Sequence, residues 1–325
     1  MRDLLKLLDK AESDFATDQE QFKQKAEQIK KVTSPQELAD LTGSDALRSK
    51  IAELNGDPID LERILGKNNL MDVYYFRKGL EVARTVCRLV YWPSFQSEKQ
   101  ASGTGFLIGP GLLMTNNHVI PNVIRAQNLY AEFEYEKLDG ININTQTPVF
   151  KLDPESFFIT SKALDYAIIA VEPTACNHPD CQLEAYGWNS LRPAKDKIFD
   201  GQFLTIIQHP LGQQKMIAFR ENQLIEAQGN FLHYTTDTDR GSSGSLVAND
   251  DWEIIGLHRS GVPEKNDKGE ILLTKGGIWQ SSQDNAFIKW IANQGVFVDC
   301  ILEDVAGREV PVRQELIKGQ LLNAK

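Results

Sequence analysis

The chain has 325 residues, of which 41% are hydrophobic and 25% are charged, and this composition is that of an ordinary globular protein. Its formal net charge is −10 at pH 7 and no cluster of lysine and arginine stands out, so nucleic acid is a poor partner. No stretch is apolar for long enough to span a bilayer, and the N-terminus is too charged for a signal peptide. We therefore expect a cytoplasmic protein with no membrane contact.

Residues 1–80 are predicted to form a small bundle of helices. Apolar residues recur at the spacings that one helix face requires, at Phe15, Phe22, Ala26 and Ile29. Ser34 can cap a helix whose first residue is a proline, and Glu37 is placed to cap in return. Further helices are predicted over residues 44–56, where a glycine ends the helix, and over residues 58–65.

Two interpretations of this helical region stay open. In the first, the bundle packs on the rest of the chain as a structural brace. In the second, it is an adaptor or restraint, because a bundle of this size is marginal by itself and tends to find a partner surface. The second interpretation predicts a regulatory protein partner that binds through residues 1–80.

From Thr85 onwards the sequence changes to the period of two that β-strands require, with β-branched and aromatic residues. A first set of strands is predicted over residues 85–91, 103–108, 129–135, 149–152 and 167–171. A second set is predicted over residues 203–208, 213–218, 223–227, 231–234, 245–249 and 252–257. Residues 287–293 are predicted to form a closing helix, and the charged tail beyond Cys300 is ambiguous. Two runs of about six short strands suit two small barrels.

Three short motifs lie at the ends of predicted strands, in the order histidine, aspartate, serine. They read Thr-Asn-Asn-His at residues 115–118, Asp-Tyr-Ala-Ile-Ile at residues 165–169 and Gly-Ser-Ser-Gly-Ser at residues 241–245. A serine hydroxyl is a poor nucleophile until a base removes its proton and nearby donors stabilise the oxyanion. We therefore predict Ser243 as the nucleophile, His118 as the base and Asp165 as the acid that fixes the tautomer of the base. Taken singly, each motif also suits a turn or a helix cap, and their joint occurrence carries the assignment.

These motifs resemble those of the chymotrypsin-like (trypsin-like) serine peptidases, in particular the bacterial branch that includes the glutamyl endopeptidases. The resemblance spans roughly residues 84–298 and implies a mainly β fold of two packed barrels with the triad at their seam. The expected domains are a helical region over residues 1–80, a protease domain over 81–300 and a tail over 301–325. The resemblance further implies a serine endopeptidase that acts on proteins or peptides through an acyl-enzyme and needs no cofactor.

The glycines around Ser243 suit an oxyanion hole. Gly241 can adopt backbone angles that are closed to other residues, which lets its N–H and that of Ser243 point into one hole. Gly244 leaves room for the substrate. Ser242 stands where the resemblance implies the aspartate that pairs with a new N-terminus after zymogen cleavage in the digestive enzymes. We therefore expect an oxyanion hole that is preformed or is set by contacts from the helical region.

Two specificities are open for the substrate pocket. The resemblance places Asp237 and Thr238 on its wall or floor, and His258 and Gly261 on the opposite wall. An aspartate at the floor would attract arginine or lysine before the scissile bond, as in trypsin. Thr238 and His258 instead match the positions with which the glutamyl endopeptidases bind a carboxylate. The sequence slightly favours the basic preference and leaves the acidic one open.

The segment over residues 69–84 is similar to the junction in bacterial proteases that carry a small helical effector-associated domain ahead of a trypsin-like domain. This second resemblance implies a protease that a partner recruits or switches. It also implies a role in a bacterial defence pathway.

Cysteine usage gives little evidence for a metal or for disulfides. Cys176, His178 and Cys181 offer three zinc ligands, but a closed structural site needs a fourth and no second pair is nearby. We therefore predict reduced thiols in a surface loop and no metal, consistent with a reducing compartment.

Two other function classes compete with a peptidase. An esterase of the α/β-hydrolase type needs Gly-x-Ser-x-Gly and the order serine, acid, histidine, whereas here the fifth position is Ser245 and the histidine comes first. The stronger alternative is a non-catalytic interaction protein that keeps a protease-like scaffold.

Overall fold

The computed structural model describes most of the chain. The described residues are 7–8, 10–11, 15, 19–32, 34–45, 47–48, 51, 72–94, 97–219, 222–235 and 241–323. The predicted helix over residues 58–65 and the predicted pocket residues Asp237 and Thr238 lie outside these ranges. Nowhere in the described ranges is a helix both long and apolar enough to cross a bilayer.

The N-terminal helix α1 spans Gln19–Lys31 and buries the predicted apolar face at Phe22, Ala26 and Ile29. These side chains belong to a buried cluster that also contains Val262 and other apolar residues of the second β-sheet. The helix face predicted from the sequence is therefore confirmed, and it packs against the rest of the chain.

Helix α2 spans Pro35–Thr42 and has the predicted cap. The Ser34 hydroxyl accepts a hydrogen bond from the backbone N–H of Glu37 at 3.2 Å. Gly43 ends the helix in the left-handed conformation, with φ at 65°, where a glycine costs least.

The first β-sheet is a closed barrel of six antiparallel strands in the order β1-β2-β3-β6-β5-β4. Helix α3 (Tyr74–Arg84) leads into it and the short helix α4 (Val123–Gln127) joins β3 to β4. Its strands are β1 (Val86–Tyr91), β2 (Gln100–Gly109), β3 (Leu112–Thr115), β4 (Leu129–Glu132), β5 (Val149–Ser161) and β6 (Tyr166–Val171).

The second sheet has seven strands in the order β8-β7-β11-β12-β13-β10-β9. These are β7 (Thr205–Gln208), β8 (Met216–Ala218), β9 (Gln223–Gln228), β10 (Phe231–Thr235), β11 (Leu246–Ala248), β12 (Ile254–Pro263) and β13 (Trp290–Phe297). Backbone hydrogen bonds join residues 201–204, which lead into β7, to residues 222–224 at the start of β9. The sheet therefore curls back on itself as a barrel, with β8 outside the ring.

The period of two in the sequence explains how the barrels meet. On β2, Leu107 belongs to the core of the first barrel, whereas Phe106 and Ile108 belong to a second core. That second core also contains Leu246 and Ile255 of the second barrel. Because successive strand residues face opposite sides, one strand contributes to both cores. The predicted fold class, mainly β with two barrels and N-terminal helices, is confirmed.

The predicted closing helix over residues 287–293 is wrong. Most of this stretch lies in β13, which pairs with both β10 and β12 and is buried from Ala292 onwards. Two flanking strands satisfy its backbone groups, and this tertiary pairing outweighs local helix propensity. The helix comes directly afterwards as α5 (Val298–Gly307), and α6 (Val312–Leu322) follows it.

The flanking helices tie the two barrels together. Helix α3 precedes the first barrel, yet the Tyr75 hydroxyl lies 2.6 Å from the Thr205 hydroxyl, on the second. The Trp252 indole donates to the Tyr75 carbonyl at 2.9 Å. Helix α5 contacts β12 and β13, while α6 contacts β2 and β5 of the first barrel. The seam between the barrels is thus fixed from both ends of the protease-like region.

Candidate active site

His118 and Asp165 are brought together by two neighbouring strands of the first barrel. Strand β3 ends just before His118, β6 begins just after Asp165, and their register pairs Thr115 with Ala167. The ring Nδ1 of His118 lies 2.9 Å from Oδ2 of Asp165. The backbone N–H of His118 also donates to Oδ1 of Asp165 at 3.0 Å. The carboxylate therefore holds both the ring and the backbone of the predicted base.

The backbone at Asp165 is in the left-handed region, with φ at 55°. An aspartate tolerates this conformation better than most residues. The side-chain amide of Asn116 donates to the Asp165 carbonyl oxygen at 2.9 Å and fixes the turn. The Asn of the Thr-Asn-Asn-His motif thus contributes to the placement of the acid.

Asp165 is buried but ionised. Burial opposes the charge and by itself would raise the pKa of Asp165. The charge of His118 and its hydrogen bonds, together with the charge of Arg259, outweigh burial and hold the pKa of this carboxyl below its usual range. The His118 side chain remains 29% exposed, so substrate and solvent can reach the ring.

Ser243 lies at the seam between the barrels. Its carbonyl oxygen accepts a hydrogen bond from the backbone N–H of Thr104 on β2, at 2.9 Å. A side chain at Gly103 would come within 3.2 Å of that oxygen and 3.0 Å of Val119, the residue after His118. The Ser243 hydroxyl itself donates to the Arg259 carbonyl oxygen at 3.3 Å. Ser243 therefore lies beside the segment that carries His118. Its hydroxyl is hydrogen-bonded to the Arg259 carbonyl and not to the His118 ring.

The backbone conformation at residues 241 and 244 requires glycine. Their φ values are +92° and +88°, which L side chains rarely adopt. A Cβ at Gly241 would lie 2.6 Å from the His209 carbonyl oxygen, and one at Gly244 would lie 2.1 Å from the Thr104 carbonyl oxygen. The Thr104 hydroxyl donates to the Gly241 carbonyl at 2.7 Å and accepts from the His209 N–H at 3.1 Å. The loop that carries Ser243 is therefore fastened to the first barrel.

His258 is buried next to Tyr234. Its Nδ1 lies 2.8 Å from the Tyr234 hydroxyl. Burial, with a smaller contribution from the charge of His118, lowers the pKa of His258 to about 3. Gly261 packs on the ring of Trp290, where a Cβ would come within 2.7 Å of the ring carbons. Sequence reasoning missed Tyr234, because its contact with His258 joins two strands that are not neighbours along the chain.

Arg259 is the second residue that sequence reasoning missed. It is 0% exposed, and its Nε lies 3.5 Å from Oδ2 of Asp165. The sequence signal is a charged residue within a strand that begins with the apolar residues Ile254, Ile255 and Leu257. A buried arginine needs partners for its charge, and this one lies against the acid of the site.

The loop over residues 176–181, which contains Cys176, His178 and Cys181, does not have the arrangement of a metal-binding site. All four cysteines are free, and Cys176 is exposed. Across the described part of the chain, no group of three or more His, Cys, Asp or Glu side chains could hold a metal ion. Cys176 and Cys181 instead make weak bonds, to the Val149 carbonyl and the Tyr186 hydroxyl respectively.

Comparisons with known proteins agree with this geometry. Residues 103–257 match the family model described as a trypsin-like peptidase domain. The chain is 36% identical over 263 residues to the uncharacterized protein y4fB of Sinorhizobium fredii, covering 76% of this chain and 39% of that protein. It is 27% identical over 169 residues to exfoliative toxin A of Staphylococcus aureus, covering 50% of this chain and 58% of the toxin.

The chain therefore spans less than two thirds of the length of each of these relatives. The family match begins within β2 and ends within β12, so it includes strands of both barrels and all three predicted catalytic positions. Residues 103–257 thus match the trypsin-like peptidase domain, and the chain has the two-barrel fold of the chymotrypsin-like serine proteases.

Proposed function

We propose that the protein is a serine endopeptidase in which Ser243, His118 and Asp165 act as a triad. The observation that carries the proposal is the contact between His118 and Asp165, with Nδ1 held 2.9 Å from an ionised carboxylate. This arrangement leaves Nε2 of His118 as the proton acceptor and supports the imidazolium once it forms. The placement of Ser243 at the seam, beside Val119, supports its role as nucleophile.

In the proposed reaction, the Ser243 hydroxyl rotates away from the Arg259 carbonyl towards His118. Catalytic hydrogen bonds are often long or misdirected in the absence of substrate, so this rotation is a small step. His118 takes the proton while Oγ attacks the peptide carbonyl, and it then gives the proton to the leaving amine. The backbone N–H groups of Gly241 and Ser243 stabilise the oxyanion. Water hydrolyses the acyl-enzyme with the same base.

For specificity, we propose that acidic side chains are accepted before the scissile bond. The support is the contact between His258 and Tyr234. A neutral imidazole that accepts the Tyr234 hydroxyl hydrogen at Nδ1 carries its own hydrogen at Nε2. It is then a hydrogen-bond donor for a carboxylate. The basic preference that Asp237 would confer is the competing specificity.

The specificity proposal predicts a simple contrast between two peptides. Peptides that differ only in glutamate or arginine before the cleaved bond are incubated with the native protein and the His258→Leu variant, and the cut sites are mapped by mass spectrometry. We expect cleavage after glutamate and a loss of at least tenfold in kcat/KM for that peptide in the variant. Faster cleavage after arginine would instead indicate that Asp237 determines the specificity of the pocket.

We also propose that a protein partner recruits or switches the enzyme through residues 1–80, in the cytoplasm and in a bacterial defence pathway. Support comes from apolar side chains that helix α3 leaves exposed, Tyr74, Phe76 and Leu80. The packing of α1 on the second barrel supports a bracing role for the same region. Both roles are compatible, because one face of a helical region can brace while another binds.

A non-catalytic scaffold is the second candidate function. The observation that favours it is the hydrogen bond from the Ser243 hydroxyl to the Arg259 carbonyl, because an inactive serine has no need to contact a base. A scaffold of this kind would bind peptides without cleaving them.

Labelling with a fluorophosphonate probe separates the two candidates. The probe reacts with a serine only when its hydroxyl is activated. We expect stoichiometric labelling of the native protein and none of the Ser243→Ala variant, with Ser190→Ala as a matched control that labels like the native protein. An intact, folded native protein that takes up no probe would support the scaffold.

A further inference from the structure

One buried arginine contacts both the proposed acid and the proposed nucleophile. Arg259 Nε lies 3.5 Å from Oδ2 of Asp165, the same oxygen that lies 2.9 Å from Nδ1 of His118. The backbone oxygen of Arg259 accepts the hydrogen bond of the Ser243 hydroxyl. The side chain is 0% exposed, so water screens its charge little. Arg259 therefore acts directly on the electrostatics of the pair formed by His118 and Asp165.

The guanidinium is held in place from behind by Gln294 on β13. One terminal N–H of Arg259 donates to Oε1 of Gln294 at 2.9 Å, and the guanidinium lies 5.0 Å from the ring centre of Phe231. Gln294 donates in turn to the Ala11 carbonyl at 3.1 Å, and its Nε2 lies 2.9 Å from Nε2 of His233. A continuous polar path thus runs from Asp165 through Arg259 and Gln294 to the N-terminal segment.

The N-terminal segment reaches the site by a second contact. The Lys10 ammonium donates to the carbonyl oxygens of Lys162 and Ala163, the latter at 2.7 Å. Those two residues belong to the turn that immediately precedes Asp165. Residues 10 and 11 are therefore linked to the proposed acid indirectly, through the turn that contains Asp165 and through Gln294 and Arg259.

We propose that Arg259 is a positioning residue for the pair formed by His118 and Asp165, and that Gln294, on which the N-terminal segment docks, holds Arg259 in place. The inference rests on the peptidase function proposed above. The arginine orients the carboxylate that the histidine needs. Its positive charge also weakens the attraction of that carboxylate for the imidazolium.

Few other charges act on the pair within the described residues. Asp165 faces His118 and Arg259. His118 faces Asp165, and the charge of His118 contributes to lowering the pKa of His258. On the far side of Gln294, His233 Nδ1 lies 3.3 Å from Glu226 Oε1. The charge of Arg259 is thus the feature that distinguishes this site from a pair made only of His118 and Asp165.

The first test is a nuclear magnetic resonance titration of the full chain carrying isotope-labelled histidine. The His118 signal is identified as the one lost in His118→Asn. In Arg259→Gln, which removes the charge and keeps an amide donor, we expect the titration midpoint of the His118 ring to rise by about one pH unit. In Arg259→Lys, which keeps the charge, the midpoint should return towards the native value. Equal midpoints in the native protein and Arg259→Gln would overturn the proposal.

A second variant tests the same proposal in case Arg259→Gln does not fold. Gln294→Met leaves the arginine and the catalytic pair intact and removes one hydrogen-bond partner of the guanidinium, together with the bonds of Gln294 to Ala11 and His233. We expect a shift of the His118 midpoint in the same direction and of smaller size. An unchanged midpoint in this variant would show that Gln294 does not position Arg259.

The pH dependence of catalysis gives the independent readout. For a peptide ester, the acid limb of the kcat/KM profile of Arg259→Gln should move up by about one pH unit, with KM little changed. An acid limb that stays at the native pH would overturn the proposal. If the native protein turns over no ester, the peptidase function falls, and the titration of the His118 ring still decides the role of Arg259.

Discussion

At the scale of single residues, the site depends on a carboxylate that stays ionised while buried. Two hydrogen bonds from His118 and the nearby Arg259 together offset the cost of burying the Asp165 charge. The aspartate fixes the ring so that Nδ1 faces it, which directs Nε2 outwards. The value of Asp165 to the proposed chemistry therefore lies in its charge as well as its shape.

Replacing Asp165 with asparagine should abolish most activity while leaving the fold in place. The amide keeps the shape of the carboxyl but loses the charge and favours the wrong tautomer of His118, so we expect kcat to fall by about ten-thousandfold. The measurement is turnover of a peptide ester, with the exposed Asp196→Asn as the matched control that retains native turnover. Near-native activity in Asp165→Asn would contradict the assigned role.

At the scale of secondary-structure elements, helix α3 connects the two barrels. It lies directly before the first barrel, yet its inner face packs on Trp252 of the second. Gly79 permits this contact, since a Cβ there would lie 2.4 Å from the Trp252 ring. The absence of a side chain at this one position sets how closely the helix approaches the sheet.

Two glycine-to-alanine substitutions in helices should therefore have opposite effects. Gly79→Ala forces the helix away from Trp252, and we expect a loss of about 1–3 kcal/mol in the free energy of unfolding. Gly319→Ala in α6 has no atom within 4 Å of the new methyl group. It should stabilise the protein by about 0.5–1 kcal/mol, the difference in helix propensity. Urea denaturation measures both, and a loss of stability of equal size in the two variants would contradict this account of α3.

At the scale of the whole molecule, one core joins the two barrels to helices α3, α5 and α6, and a separate buried cluster joins the N-terminal helices to the second barrel. Two of the polar groups in this arrangement are neutral histidines. Burial lowers the pKa of both His209 and His258 to about 3, from an ordinary value of 6.5. Neither ring can take up a proton at mildly acidic pH without leaving its apolar surroundings or gaining a partner.

The folded protein should consequently lose stability in mild acid. In the unfolded chain these two rings bind protons below about pH 6.5, whereas in the folded protein they stay neutral to about pH 3. The unfolded state therefore binds more protons in this window, and the free energy of unfolding falls as the pH drops. At pH 5 the expected loss is about 2 kcal/mol per histidine.

Urea denaturation at pH 7.5 and pH 5 measures this loss. His209→Gln removes one of the two rings, so its stability should depend on pH about half as steeply over that range. The comparison uses the change between the two pH values, so any constant cost of the substitution cancels. An equally steep dependence in the native protein and the variant would rule out His209 as a source of acid sensitivity.

Much of the architecture can be predicted from the sequence because local residue patterns determine it. The period of two predicts most strands, the cap at Ser34 predicts the start of α2, and two of the three motifs predict the contact between His118 and Asp165. The special backbone angles predicted for Gly241 agree with its positive φ, whereas Gly244, predicted to leave room for the substrate, has a positive φ and lies against the Thr104 carbonyl. Residues 287–293 escaped prediction because strand pairing on both sides, which no local pattern records, determines their conformation.

The sequence by itself therefore determined the fold class and nominated His118, Asp165 and Ser243. Only the tertiary structure decided that Arg259 lies against Asp165 and that Tyr234 contacts His258. The same holds for the docking of the N-terminal helices on the second barrel. The physical reason is the range of the interactions: local patterns fix strands, turns and caps, whereas a buried charge acquires its partner only when segments distant in the sequence fold together.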